Sequence, residues 1–160
     1  MNTTTVDINF PELCGKLRSM KLSSMADTLE KQLANPNSGL QSFDERISEI
    51  ICSEWDTRYN KKFNRFLKKA TLKYPAADID ESIYDADRFL DTGTIERLAA
   101  CDWIDEGKNL LITGSTGSGK TYISNALCIS ALRLFHTVRY VKASTLIYEL
   151  EQAQVTGEYL

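Results

Sequence analysis

Apolar residues recur in steps of three and four through the first seventy positions, the spacing that lays one face of an α-helix along a core. Leu13, Leu17 and Met20 follow this rule behind Pro11, a residue suited to a helix N-terminus. A second short helix is predicted after Ser23 or Ser24, with Met25, Leu29 and Leu33 on one face. The turn-rich stretch Ala34 to Gly39 stops it. A long third helix opens with a capping box, Ser42-Phe43-Asp44-Glu45, in which serine and glutamate each satisfy an orphaned backbone N–H. Its apolar positions are Phe43, Ile47, Ile50, Ile51, Trp55, Tyr59, Phe63, Phe66, Leu67 and Ala70. Unbroken, such a helix extends ~45 Å. Its apolar side is expected to pack, with Trp55, like Trp103 further on, in the core. Pro75 ends the pattern, because proline disfavours the α conformation in the residue before it.

From Tyr74 to Lys108 the pattern reads as a linker followed by short helices. Asp91-Thr92-Gly93 looks like a turn, Thr94 to Ala100 the start of a helix, and Asp105 to Lys108 another turn. The period then changes. Asn109-Leu110-Leu111-Ile112-Thr113 is a short apolar run of the kind found in a strand buried on both faces. A glycine-rich loop follows, then a helical pattern from about Lys120 to Phe135. Thr137 to Lys142 alternates and is β-branched, which predicts a second strand, and a helix runs from Leu146 to about Ala153. Strand, loop, helix, strand, helix opens a parallel α/β sheet. The expected organisation is a helical N-terminal region over 1–73, an acidic linker with short helices over 74–108, and a nucleotide-binding core over 109–160.

Composition narrows the class. Of 160 residues, 42% are hydrophobic and 26% charged, the balance of a soluble globular protein. No apolar run approaches the ~18 residues of a membrane span. The opening MNTTTVDINF lacks the basic start and apolar block of an export signal, so a cytoplasmic protein is expected, without a membrane partner. Cys14, Cys52, Cys101 and Cys128 lie far apart and the one histidine is His136, which argues against a zinc site or a disulfide scaffold. His136 fits a helix C-terminus, where a cation is favoured, and Cys128 an apolar helix face. The acids between Asp78 and Asp91 lack the spacing of a calcium loop.

The most specific pattern is Gly114-Ser115-Thr116-Gly117-Ser118-Gly119-Lys120-Thr121, which matches G-x-x-x-x-G-K-[ST], the P-loop. Glycines admit backbone conformations closed to other residues, letting successive N–H groups converge on a phosphate. The helix that opens at the lysine adds the positive end of its dipole. In this pattern Lys120 reaches the β- and γ-phosphates of ATP, and the Thr121 hydroxyl ligates Mg²⁺. The buried strand before the loop and the helix after it are the context the pattern requires. After Lys120 the carboxylates are Glu149, Glu151 and Glu158, none preceded by an apolar strand. The sequence therefore assigns no catalytic residue.

Charge is unevenly placed. Seven basic residues and no acid lie between Arg58 and Lys73, and setting that +7 aside leaves −10 on a chain whose net charge is −3. Arg58, Lys61, Lys62, Arg65, Lys68 and Lys69 step along the long helix opposite Tyr59, Phe63, Phe66, Leu67 and Ala70. A solvated helix face fits this pattern; so does a face that contacts the phosphates of a polyanion.

The stretch from Thr94 to Leu150 resembles the core of IstB-like ATP-binding proteins. It carries Trp103-Ile104, Gly107, Asn109, the P-loop, and Val138-Arg139-Tyr140-Val141. The helical upstream part, with its basic helix and the acidic-aromatic stretch Ile79 to Phe89, resembles the family too. These are AAA+ ATPases that assist the transposase of certain insertion sequences, and they are similar to bacterial helicase loaders of the DnaC type. The resemblance implies the first part of a P-loop NTPase (AAA+-like) parallel sheet, with Mg·ATP on Gly114 to Thr121. It also implies DNA backbone contacts from the basic helix, a cognate transposase as partner, and a homo-oligomer in the full-length form. A helicase loader and a non-hydrolysing nucleotide-binding fragment are its alternatives. The family's Walker B acids, sensor residues and arginine finger are expected beyond Leu160.

Overall fold

A computed structural model of the chain describes residues 9–80 and 91–157. The chain forms two compact units, dividing between Lys62 and Phe63. The first holds α1 (Phe10–Ser19), α2 (Ser23–Ala34), a 3₁₀ turn (Pro36–Leu40) and the start of α3 (Phe43–Ala70), which runs on into the second. The second adds α4 (Thr92–Ala99), α5 (Asp102–Asp105), α6 (Lys120–Arg133) and α7 (Ala143–Thr156).

In the first unit, local sequence sets the helix ends and a few polar side chains hold the helices together. The capping box forms as the sequence predicts: Ser42 N–H donates to Glu45 Oε2 at 2.8 Å and Glu45 N–H to Ser42 Oγ at 3.2 Å. The α1–α2 pair closes over buried Cys14 and Ala26. Arg18 clamps its edge by donating to Asp27 and to both carboxylate oxygens of Glu30. Glu54 of α3, buried, accepts from Ser24 N–H (3.0 Å) and Met25 N–H (3.4 Å), so a side chain from another helix caps α2. Buried Gln32 donates to Arg46 O and Glu49 Oε2.

The long helix is less buried than its apolar positions suggest. Ile50 and Ala70 are in the interior, whereas Phe43 and Trp55 are 76% and 70% exposed. Trp55 is thus a surface residue, contrary to the sequence expectation. Trp103 does pack, half-buried, with its indole N–H donating to Leu98 O at 3.0 Å.

In the second unit the core is built on α6. Ala126, Leu127 and Ile129 meet Ile95 of α4 and Ala77 and Ile79 of the segment after α3. Phe63 and Leu67, then Leu110 and Ile112, pack around them. The segment after α3 is fastened to α6 by polar contacts as well: Arg133 donates to Asp78 at 2.8 Å, and Asp78 N–H to the Tyr122 hydroxyl at 3.2 Å.

The expected α/β class is overturned. Among the described residues there is no strand, so the parallel sheet of a P-loop NTPase (AAA+-like) core is absent and the architecture is helical. A strand needs a ladder, and neither apolar run has one. In the first run Leu110 and Ile112 lean on the α6 core while Leu111 between them is 85% exposed, so one face is buried where two were expected. In the second, Tyr140 N–H donates to Ala70 O (2.9 Å), and Tyr140 O accepts from the Thr71 hydroxyl (3.1 Å). Those backbone groups serve the C-terminal end of α3 instead of a neighbouring strand. The anticipated turn at Asp91-Thr92-Gly93 is the N-terminus of α4. The acidic linker falls largely on residues 81–90, outside the described residues.

Candidate functional site

Three glycines with positive φ shape the loop ahead of α6: Gly114 (151°), Gly117 (83°) and Gly119 (88°). None of the three can be replaced without strain. Gly119 is the N-cap of α6 in the left-handed region, which costs an ordinary residue about 1–2 kcal/mol. At Gly114 a Cβ would also stand 3.1 Å from Ser118 Oγ. The first helical bond of α6 runs from Ile123 N–H to Gly119 O. The N–H groups of Lys120, Thr121 and Tyr122 therefore have no helical partner, as at the start of any helix. They lie at the positive end of a helix of 14 residues, a ready-made setting for an anion.

Lys120, the first residue of α6, is half-buried and folds back over the loop. Its ammonium donates to Gly114 O (2.8 Å) and Ser115 O (2.5 Å). One cation thus holds the two ends of the loop together and stands at an open cleft of about 440 Å³, lined by Thr113, Gly114, Ser115, Gly117, Ser118 and Lys120 among others. Among the described residues the cleft walls contain no carboxylate. Thr121 follows, half-buried, with its carbonyl accepting from Asn125 Nδ2 (2.7 Å) and Ser124 Oγ (3.0 Å). Of the eight residues that the sequence singles out, Lys120 and Thr121 stand on the first turn of α6, and the other six form the loop.

Among the described residues no group of three or more His, Cys, Asp or Glu side chains could hold a metal ion. A lone hydroxyl such as Thr121's does fit Mg²⁺ that arrives with a nucleotide, because Mg²⁺ keeps most of its ligands from phosphate and water. The thiols of Cys101 and Cys128 are pushed up by burial, which leaves them in the protonated, unreactive form. His136 sits just past α6, its backbone N–H bonding Ala131 O at 3.0 Å to help close the helix, and its Nδ1 lies 4.0 Å from Asp105.

The basic residues of α3 differ in their surroundings. In the first unit Arg58 is engaged structurally: it donates to Glu54 at 2.7 Å and to Lys21 O at 2.9 Å. Lys61 and Lys62 are exposed there. In the second unit Arg65, Lys68 and Lys69 are exposed, and Arg65 and Lys69 border a notch of about 290 Å³ with Phe66, Thr137 and Val138. Sequence reasoning missed Asn125 and Tyr74, which fix the loop's helix from behind. Asn125 is fully buried, and its Oδ1 accepts from Tyr74 N–H at 3.2 Å. Tyr74 lies forty positions before the loop's first glycine, and no local motif connects them.

The glycine-rich loop thus closes onto the N-terminus of α6 and carries one lysine there. Residues 15–160 match the family described as IstB-like ATP binding protein, and the chain belongs to that family. It is 36% identical over 144 residues to the ATP-binding protein assigned to insertion sequence IS1162 of Pseudomonas fluorescens, a match covering 90% of this chain and 62% of that one. It is 33% identical over 144 residues to an insertion-sequence ATP-binding protein of Sinorhizobium fredii, covering 90% and 58%. With an insertion-sequence ATP-binding protein of Mycobacterium tuberculosis it shares 30% over 140 residues, covering 88% and 55%. The chain thus spans between 55% and 62% of the length of these relatives.

Proposed function

We propose that the chain binds Mg·ATP at Gly114 to Thr121 as a helper protein of DNA transposition. The observation that carries this reading is the cradle itself. Positive-φ glycines lead into the N-terminus of α6, and the ammonium of Lys120 is poised over the loop. On binding, the Lys120 ammonium exchanges loop carbonyls for phosphate oxygens, a gain because a charge-assisted bond to an anion is stronger than one to a neutral carbonyl. The loop N–H groups and the α6 N-terminus neutralise the remaining charge. The Thr121 hydroxyl would offer one ligand to the Mg²⁺ that accompanies the nucleotide, whose charge would offset that of the phosphates. This is a reading of binding and assigns no described residue a catalytic part.

The relatives' association with insertion sequences supports a cognate transposase as partner, and the proposal extends to DNA, a homo-oligomer in the whole protein and a cytoplasmic setting. For DNA, exposed Lys61 and Lys62, and separately Arg65, Lys68 and Lys69, are the contact candidates. Such contacts position a protein on the phosphate backbone without reading bases. Titration of the chain and of Lys120→Ala with Mg·ATP by calorimetry is the test. Saturable binding by the wild type and its loss in the variant support the reading, and equal binding by both refutes it.

A further inference from the structure

We propose that the cleft between Tyr74 and Tyr122 is the seat of the nucleobase, with the Tyr74 ring as its stacking platform. The inference rests on the reading of Gly114 to Thr121 as a phosphate site and extends that site to its other end. A second cleft, of about 210 Å³, is lined by Tyr74, Gly117, Gly119, Lys120, Thr121 and Tyr122. It shares Gly117 and Lys120 with the larger cleft in front of the loop. Whole small-molecule sites run to roughly 300–1,000 Å³, so this one suits a single planar end of a ligand whose charged end lies next door.

Its lining is suited to a flat, uncharged ring. The two tyrosine rings stand 6.1 Å apart between centroids and are tilted by 49°, so neither ring is stacked flat on the other. Among the described residues its lining contains no carboxylate. Both tyrosines are held from behind. The Tyr74 backbone N–H donates to fully buried Asn125, and Tyr74 O accepts from Ala77 N–H at 3.2 Å. The Tyr122 hydroxyl accepts from Asp78 N–H, which turns its polar tip to the backbone and leaves the ring as wall. Lys73 Nζ lies 5.2 Å from the Tyr74 centroid, a cation–π contact on one face. The base takes the face turned to the cleft. Because stacking is tolerant of base identity, this seat adds affinity for nucleotides over bare phosphate more than it separates one base from another.

The test compares Mg·ATP with Mg·tripolyphosphate, which keeps the phosphates and lacks the base, on the wild-type chain, Tyr74→Ala and Tyr74→Phe. The wild type should bind ATP about tenfold or more tightly than tripolyphosphate. Tyr74→Ala should lose about tenfold for ATP and nothing for tripolyphosphate, and Tyr74→Phe, which keeps the ring, should match the wild type. A thermal melt without ligand verifies that each variant is folded. Wild-type binding of tripolyphosphate as tight as ATP overturns the base seat and leaves the phosphate site standing. So does ATP affinity that is unchanged in Tyr74→Ala, or lost there equally for both ligands. Binding of neither ligand by the wild type overturns the phosphate reading, and the base seat with it.

Discussion

Asn125 accepts a hydrogen bond from the Tyr74 backbone N–H at 3.2 Å through a side chain with no solvent exposure. The same carboxamide donates to Thr121 O at 2.7 Å. One side chain thus ties the segment after α3 to the first turn of α6, where the phosphate loop ends. A buried amide with both ends paired is costly to disturb, because removing it strands the Tyr74 N–H and opens a cavity, while Thr121 O keeps the Ser124 hydroxyl. Asn125→Ala should lower unfolding stability by about 2–3 kcal/mol, measured by urea denaturation. Asn125→Leu, branched alike but larger and unable to pair, should cost as much or more. A loss under 0.5 kcal/mol in both variants contradicts this role.

The same logic applies to Glu54, whose carboxylate caps α2 from α3. The Arg58 guanidinium beside it holds its carboxyl below the usual carboxylate range, and the Met25 and Ser24 N–H groups lower it further against the opposing effect of burial. A carboxylate depressed on folding contributes stability that is fully present above its unfolded pKa, about 4.3. That contribution fades as pH falls through the lower folded value. Thermal melts between pH 7 and pH 3 should therefore show a steeper acid loss for the wild type than for Glu54→Gln, which should start with a lower Tm at pH 7. Parallel curves would remove Glu54 from the account.

The helical half of this arrangement is readable from the sequence because its signals are local. The capping box at Ser42 and Glu45, the turn at Ala34 to Gly39 and the step-of-three-and-four spacing all act within a few residues. The eight-residue pattern from Gly114 to Thr121 is local in the same way. What fails is whatever depends on a distant partner. Leu110 and Ile112 are apolar in either a strand or a packed extended segment, and only the presence of a neighbouring ladder decides between the two. Trp55 has the right spacing for a core, but nothing in the described first unit covers it. Helix ends supply a third case. Lys21, Cys101 and Phe135 take positive φ as they close α1, α4 and α6, positions where glycine is the usual sequence signal. Asn125 and Tyr74 are the functional case, joined only by folding.

DNA binding, the second part of the proposed function, has its own signature. Each lysine that neutralises a phosphate releases a counterion, so affinity falls steeply with salt. The exposed Lys68 and Lys69 are held in no ion pair among the described residues. Lys68→Ala and Lys69→Ala should each reduce the slope of log affinity against log salt by about 1, in fluorescence anisotropy with duplex DNA of arbitrary sequence. Arg58→Ala should instead lower thermal stability, since its guanidinium bonds Glu54 and Lys21 O. An unchanged slope in both lysine variants argues for a solvated helix face.

The central claim is that Lys120 and its loop form a phosphate site in the folded chain. A ligand that binds only the folded state raises its stability by about 2.7 kcal/mol at one hundred times its dissociation constant. For a chain of this size that corresponds to a rise in Tm of roughly 5–10 °C. The most direct measurement is the thermal midpoint of the wild-type chain and of Lys120→Ala, each with and without saturating Mg·ATP. A rise of that order is expected in the wild type and none in Lys120→Ala, each measured from its own ligand-free midpoint. An equal rise in both proteins, or none in the wild type, would contradict the claim.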